Sequence, residues 1–160
     1  MSIPKRYLPK ILSKKDYKKQ KLNIVKSRKL YKKGIYSSRP KISSFHSKPS
    51  RYVNIAEKIY RINKIHPDNN LSQKTGCSQS SLKKIVNKGR GAYFSNGSRP
   101  NQSAESWGIA RLASAITGNK ASIIDYNILY KGCNPNSKAL HLATRRCRKF
   151  GKCKKYTIKK

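Results

Sequence analysis

An excess of basic residues limits how much of this 160-residue chain can pack into a core. The sequence has 39 lysines and arginines against 5 acids, which gives a formal net charge of +34. Only 36% of the residues are hydrophobic, so we expect one small domain with extensions. Polyanions or acidic protein surfaces must relieve the repulsion among so many cations. The expected partner is therefore nucleic acid or an assembly that carries it.

The cations are concentrated toward the two ends of the sequence. Residues 1–50 contain sixteen lysines and arginines and one acid, and residues 145–160 contain nine and no acid. Residues 91–143, in contrast, carry a net charge of only +3. We therefore predict a basic arm over residues 1–49, a helical core domain over 50–144 and a basic tail from 145 onward.

The basic arm is expected to contain one helix. Ser13 followed by Asp16 predicts its start, and Gly34 predicts its end. Apolar residues recur there every seven positions, at Tyr17, Ile24 and Tyr31. One narrow apolar stripe on a cationic helix needs a partner surface. We expect this helix, and the extended segment 35–50 after it, to lie against other protein chains.

Apolar residues at helical spacing predict the buried faces of the core domain. Residues 51–65 form one amphipathic helix, which Pro67 ends. Residues 101–117 form a slim central helix. Residues 121–130 fit either a strand or a helix, and a helical face ended by Gly132 is the preferred interpretation. The predicted core residues are Tyr52, Ile55, Ile59, Ile62, Leu82, Ile85, Trp107, Leu112, Ile116, Ile124 and Ile128.

Residues 68–89 have the pattern of a helix-turn-helix. Asp68 begins a short helix, Gly76 turns the chain, and Ser78 begins a second helix that Gly89 is expected to end. The second helix would present polar residues outward, where they can reach a DNA groove: Gln79, Ser80, Lys83, Lys84 and Asn87. The alternative is an ordinary helical hairpin whose glycine only ends the first helix.

Asn96-Gly97 lies between two short runs and predicts a tight β-hairpin turn. A phosphate could bind at this glycine-rich segment beside Arg90 and Arg99, but the spacing matches neither the P-loop nor GxGxxG. A surface turn is the preferred interpretation. The predicted fold is thus mainly α: a small helical domain with a short β-turn or hairpin segment, an extended basic N-terminal arm and a basic C-terminal tail.

Few residues are candidates for catalysis or metal binding. Because helix starts account for Asp16, Asp68 and Glu105, only Glu57 and Asp125 remain, and we expect no enzyme, catalytic residue or cofactor. A zinc set could be drawn from Cys133, His141, Cys147 and Cys153, but the gaps are wide and irregular. A disulfide such as Cys133–Cys147 is a second option, and free buried thiols are the preferred one, so no metal is predicted.

The predicted anion-binding residues lie on the second helix of the pair, around the predicted turn, and in the tail. They are Lys83, Lys84, Asn87, Lys88, Arg90, Arg99, Arg145, Arg146, Arg148 and Lys149. The N-terminal sequence has no continuous apolar segment of a signal peptide, and no run of eighteen apolar residues predicts a membrane span.

Three segments resemble a family of uncharacterised basic proteins encoded by large nucleocytoplasmic DNA viruses of algae and protists. They are YLPKILSKKDYKKQ, LSQKTGCSQSSLKKIVNKGRGAYFSNGSRPNQSAESWGIARLASAITGNKASIIDY and KGC, and the most specific part is GAYFSNGSRPNQSAESWGIARLASAITG. The resemblance extends from Tyr7 to about Cys133 and does not explain the basic tail. It implies a viral origin and a location in the virion or in the virus factory of the host cytoplasm, and it brings no established catalytic residues.

Charge and resemblance together lead us to expect a viral structural protein. It would be a minor capsid component at the inner shell, whose basic arms bridge other capsid proteins and the viral DNA. The alternative is a DNA-binding or DNA-condensing protein that uses the helix-turn-helix-like segment. An enzyme acting on nucleic acid is the least favoured of the three classes.

Overall fold

The computed structural model describes residues 2–151 and 153, and helices form its regular structure. A short 3₁₀ turn at Lys5–Tyr7 comes first. The α-helices are α1 (Lys14–Lys32), α2 (Arg51–Tyr60), α3 (Asn69–Thr75), α4 (Gln79–Ser95), α5 (Ala104–Ile116), α6 (Lys120–Ile124), α7 (Tyr126–Gly132) and α8 (Lys138–Phe150). The predicted mainly α class is confirmed. Within the described residues, no helix has the length and apolar character needed to cross a membrane.

The chain divides into two compact units. Unit 1 comprises Met1–Lys48 and Gly89–Trp107, and unit 2 comprises Pro49–Lys88 and Gly108–Lys160. This division differs from the predicted arm, core and tail. We expected the N-terminal arm to lie against other chains, whereas its described residues pack with residues 89–107 of their own chain.

Polar contacts attach α1 to the rest of unit 1. Ser13 Oγ accepts the N–H of Asp16 at 3.1 Å, which confirms the predicted helix start. The amide of Gln20, which is almost fully buried, donates to the carbonyls of Tyr7 and Ser98 at 3.3 and 3.2 Å. Of the predicted apolar stripe, Ile24 is fully buried, Tyr31 is half-buried and Tyr17 is exposed. The inner face of α1 is thus largely polar, which hydrophobic periodicity does not detect.

The segment after α1 is extended, as predicted, but two side chains fix it within unit 1. The Arg39 guanidinium lies 3.8 Å from the ring centroid of Tyr93 and donates to Ser27, to the Tyr93 carbonyl and to Ser98. Asn101 exchanges two hydrogen bonds with the backbone of Ile42, at 2.6 and 2.9 Å. Ile42 is fully buried as a result.

The predicted β-hairpin is wrong, because α4 continues through residues 90–94 and ends at Ser95. The N–H groups of Asn96 and Gly97 both donate to the carbonyl of Ala92, and Gly97 has φ +129°. Asn-Gly therefore ends a helix here. A hairpin turn and a helix C-terminus both favour a residue that tolerates positive φ, so the dipeptide alone could not distinguish them.

Helices α2, α6 and α7 also end at points that differ from the prediction. The expected helix 51–65 stops at Tyr60, because Arg61 adopts the left-handed conformation with φ 53°. The expected helix 121–130 is divided into α6 and α7 at the fully buried Asp125.

Of the eleven predicted core residues, five are buried, four are half-buried and two are exposed. Ile62, Leu82, Ile85, Leu112 and Ile116 are buried in unit 2, and Tyr52, Ile59 and Ile128 are partly buried against them. Trp107 is half-buried in unit 1 with its ring edge-on to Tyr7, 5.8 Å between centroids. Ile55 and Ile124 are exposed, contrary to prediction. The buried face of α2 instead centres on Ala56 and Tyr60, and the break after Ile124 turns Asp125 inward.

Candidate nucleic-acid interface

The helix pair α3–α4 begins and turns as the sequence predicts. Asp68 Oδ1 accepts the N–H of Leu71 at 2.9 Å, and Ser78 Oγ accepts the N–H of Ser81 at 3.3 Å. Gly76 lies between the helices with φ +74°, where its N–H donates to the carbonyl of Ser72. The predicted inward residues, Leu71, Cys77, Leu82 and Ile85, are all buried.

A disulfide and two backbone hydrogen bonds fasten this turn to the loop between α7 and α8. Cys77 and Cys133 form the disulfide and an isolated antiparallel bridge. Beside them, the N–H of Ser78 donates to the Gly132 carbonyl and that of Asn134 to the Gly76 carbonyl, both at 2.7 Å. The turn lies so close to the start of α8 that a Cβ added at Gly76 would be 2.6 Å from the Cβ of Ser137.

The prediction of free buried thiols is therefore wrong. Cys147 and Cys153 form a second disulfide, so the suggested Cys133–Cys147 pairing is wrong as well. Both pairs are buried. The four sulfur atoms are bonded to one another and do not offer the thiolates that a zinc site requires.

The outward face of α4 in unit 2 is polar and cationic. Lys83, Lys84, Asn87 and Lys88 are exposed, together with Gln79 and Ser80 at the start of the helix. Leu82, Ile85 and Val86 are buried on the opposite side. This face, defined by residues 79, 80, 83, 84, 87 and 88, is called the α4 face below. It combines point charges that suit phosphate with amides that can bind base edges.

One buried carboxylate holds the end of the α4 face in place. Lys88 Nζ lies 2.8 Å from Oδ1 of Asp125, and the same carboxylate accepts two hydrogen bonds from Arg111 at 2.7 and 2.8 Å. Asp125 is fully buried, whereas the Lys88 side chain is 45% exposed. Lys88 is predicted from the sequence only as an anion contact, because its partner Asp125 lies 37 residues away along the chain.

The remaining predicted anion-binding residues lie in other places. Arg90 and Arg99 belong to unit 1, and Arg90 already pairs with Glu105. Arg145, Arg148 and Lys149 are exposed on α8, whereas Arg146 is half-buried with its guanidinium 4.5 Å from the ring centroid of Phe150. The predicted tail thus begins inside α8, and residues 152 and 154–160 lie outside the described part of the chain.

The outward side of α8 adds two residues to the predicted anion-binding set: Lys138, and His141, which the sequence suggested only as a zinc ligand. Both are exposed and precede Arg145 and Arg148 at spacings of three and four residues, which place all four on one helix face. The period of α8 could have predicted this face, since its buried positions fit it: Ala139, Leu140, Ala143 and Cys147.

Most of the acids have structural contacts. Asp68 caps α3, Asp16 binds the backbone N–H of Ser44, and Glu105 and Asp125 pair with arginines. Over the described residues, no group of three or more histidines, cysteines or acids lies close enough to hold a metal ion. The α4 face and the exposed side of α8 present cationic and amide groups, which are suited to binding a polyanion.

Comparison with known proteins identifies a family. No curated protein and no solved structure gives a match. The model of a family of unknown function, DUF5824, matches residues 4–138, which include the α3–α4 pair and both residues of the Cys77–Cys133 disulfide, and stop at the first residue of α8. The match covers most of the chain, and the protein belongs to the family DUF5824.

Proposed function

We propose that the protein binds double-stranded DNA through the α4 face. The observation that supports this proposal is the division of α4 into a buried apolar side and an exposed side that carries Lys83, Lys84 and Asn87. The second helix of a helix-turn-helix places such an exposed side in the major groove. The Cys77–Cys133 disulfide restricts the preceding turn, which lowers the entropy lost when α4 is ordered on DNA.

Each polar residue of the α4 face has a distinct role in this proposal. Lys83 and Lys84 contact phosphates, which supply most of the affinity. The Asn87 amide is suited to an adenine edge, which offers an acceptor and a donor side by side. Lys88 is positioned by Asp125 and contacts phosphate from a fixed place. The exposed residues of α8 add further phosphate contacts.

Binding measured over a salt series tests the α4 face. In fluorescence anisotropy with a labelled duplex, Lys83→Gln with Lys84→Gln should reduce the slope of log Kobs against log salt by about two. Asn87→Ala should leave the slope unchanged and reduce the preference among duplex sequences. The matched control, Lys58→Gln with Lys120→Gln, removes the same charge from exposed positions of α2 and α6. If the control reduces the slope equally, the α4 face has no special role and the proposal fails.

A second candidate function is a minor capsid component at the inner shell of a virus particle. The resemblance to viral proteins motivates it, and large apolar side chains on the surface of unit 1 support it, because they suit contacts with neighbouring proteins. Ile11, Leu22 and Tyr36 are 75%, 69% and 68% exposed. Since residues 2–48 pack in unit 1, folded surfaces and not a free arm would make these contacts. Finding the protein in neither the shell nor the nucleoid fraction of purified particles would exclude this role.

A further inference from the structure

The outer side of α1 is covered with lysines. Eight of them are exposed along its length and at its C-terminal end: Lys14, Lys15, Lys18, Lys21, Lys26, Lys29, Lys32 and Lys33. We call this surface the α1 lysine face. The inner side of the same helix buries Gln20, Ile24 and Ser27 within unit 1. The helix is therefore fixed by its inner side, and its outer side is exposed to solvent.

Unit 1 contains too few acids to neutralise this face. Its two segments have eighteen lysines and arginines and only two acids, Asp16 and Glu105. The carboxylate of Asp16 accepts hydrogen bonds from Ser43 and Ser44, and that of Glu105 pairs with Arg90. Six pairs among the eight lysines are three or four residues apart, where like charges on a helix repel. An external polyanion would remove that repulsion.

We propose that the α1 lysine face is a second DNA-binding surface, which contacts the phosphate backbone without reading sequence. A helix of nineteen residues is about 28 Å long, a length of duplex that carries about sixteen phosphates. The lysines recur on almost every turn of α1, so the face presents charge along its whole length. This surface belongs to unit 1 and does not depend on the α4 face.

The alternative partner with negative charge is a membrane surface, and the packing of α1 argues against it. An amphipathic helix binds a bilayer by inserting its apolar side between the headgroups. The inner side of α1 cannot insert in this way, because Ile24 on that side is fully buried within the protein. Only Tyr17 and Leu22 are large apolar residues on the exposed side.

Two variants of the full-length chain test the proposal. The glutamine variant carries Lys18→Gln, Lys21→Gln, Lys29→Gln and Lys32→Gln, and the matched variant carries arginine at the same four positions. Thermal unfolding first establishes that both variants are folded. Anisotropy with a labelled duplex should then show the salt slope reduced by about three to four in the glutamine variant and unchanged in the arginine variant. The relative affinities for different duplex sequences should not change in either.

An unchanged salt slope on DNA in a folded glutamine variant would overturn the proposal. If that variant has also lost binding to vesicles of anionic phospholipid, the face is assigned to membranes instead. The proposal for the α4 face fails separately, since it requires a reduced slope from the Lys83 and Lys84 substitutions while the α1 lysine face is intact.

Discussion

Asp125 and Arg111 form an ion pair with two hydrogen bonds, 2.7 Å from Nε to Oδ2 and 2.8 Å from Nη2 to Oδ1. Asp125 lies at the junction of α6 and α7, and Arg111 belongs to α5. The same carboxylate accepts a hydrogen bond from Lys88 of α4. One buried acid therefore links the proposed DNA-binding helix to three other helices of the chain.

Replacing Asp125 with asparagine should strongly destabilise unit 2. The substitution leaves Arg111, whose side chain is only 20% exposed, without a counter-charge. Breaking one side of a buried ion pair costs about 3 to 5 kcal/mol, and the partial exposure of the cations places this case at about 3 kcal/mol. Urea unfolding monitored by circular dichroism measures the change in the free energy of unfolding.

The control for this prediction is Glu57→Gln, which removes an acid for which no ion pair is found among the described residues. It should change stability by less than about 0.5 kcal/mol. A double variant, Asp125→Leu with Arg111→Met, should be more stable than Asp125→Asn, because it also removes the charge of Arg111, the less exposed of the two cations, and Lys88 can reach solvent. If the double variant is the less stable of the two, the ion pair does not act as described.

Arg39→Lys should destabilise unit 1 although it preserves the charge. The guanidinium lies over the Tyr93 ring and forms three hydrogen bonds to neutral acceptors, a geometry that a lysine ammonium cannot reproduce. Burial lowers the pKa of Arg39, because desolvation disfavours the charged form, and the contacts with Tyr93 offset part of that cost. We expect a loss of about 2 kcal/mol in the free energy of unfolding.

The exposed Arg99 serves as the matched position for Arg39. Arg99→Lys should change the melting temperature of the protein by less than the Arg39 substitution does, since a surface cation contributes little. Equal shifts from the two substitutions would mean that the stacking on Tyr93 does not stabilise unit 1.

The helix starts could be predicted because they depend on residues close in sequence. Ser13, Asp68 and Ser78 each accept an N–H from the residue three positions on, as the sequence indicates. The outward residues of the α4 face were predicted for a related reason, since helical period alone determines which side of an amphipathic helix is exposed.

The packing of residues 2–48 could not be predicted in the same way, because it depends on polar contacts between distant positions. Gln20 reaches Ser98, 78 residues away, and Asn101 binds Ile42, 59 residues away. Neither amide contributes to a hydrophobic pattern, so a basic segment with few apolar residues is expected from its sequence to lie against other chains. The partner of Lys88 and the pairing of the cysteines escaped prediction for the same reason: both depend on tertiary contacts.

The carboxylate of Asp16 should make unit 1 sensitive to acid. Hydrogen bonds from the side chain and the backbone N–H of Ser44 lower the pKa of Asp16 in the folded protein. Because this pKa is lowered, the ionised Asp16 stabilises the fold at pH values above the ordinary aspartate pKa of about 4. That stabilisation is lost as the pH falls through the folded-state pKa. Thermal unfolding between about pH 6 and pH 2 should show a steeper acid loss in the wild type than in Asp16→Asn.

Ser44→Ala separates the hydrogen bonds of Asp16 from its charge. This variant keeps the carboxylate and the backbone N–H of residue 44, and it removes only the hydroxyl. Its acid sensitivity should lie between those of the wild type and Asp16→Asn. Identical pH profiles for the wild type and Asp16→Asn would show that this carboxylate does not link α1 to the segment that follows it.

Removing the Cys77–Cys133 disulfide should cost more stability than removing Cys147–Cys153. The first closes a loop with a sequence separation of 56 residues and the second one of 6. A disulfide stabilises a protein by restricting its unfolded chain, and these loop lengths predict losses of about 4 and about 2 kcal/mol, respectively, in the free energy of unfolding. Alanine pairs are suitable replacements because all four cysteines are buried. Urea unfolding of Cys77→Ala with Cys133→Ala, against Cys147→Ala with Cys153→Ala, measures both losses.

The same two alanine pairs separate a general loss of stability from a loss specific to the α3–α4 turn. Without the Cys77–Cys133 disulfide, the turn keeps its two backbone hydrogen bonds, from Ser78 N–H to the Gly132 carbonyl and from Asn134 N–H to the Gly76 carbonyl. It loses the covalent link, so α4 loses part of its preorganisation. At a temperature well below the unfolding of either variant, the affinity for a duplex should therefore fall in the variant without Cys77–Cys133. The variant without Cys147–Cys153 should keep the affinity of the wild type. An equal fall in both would mean that the turn does not need the disulfide to present the α4 face.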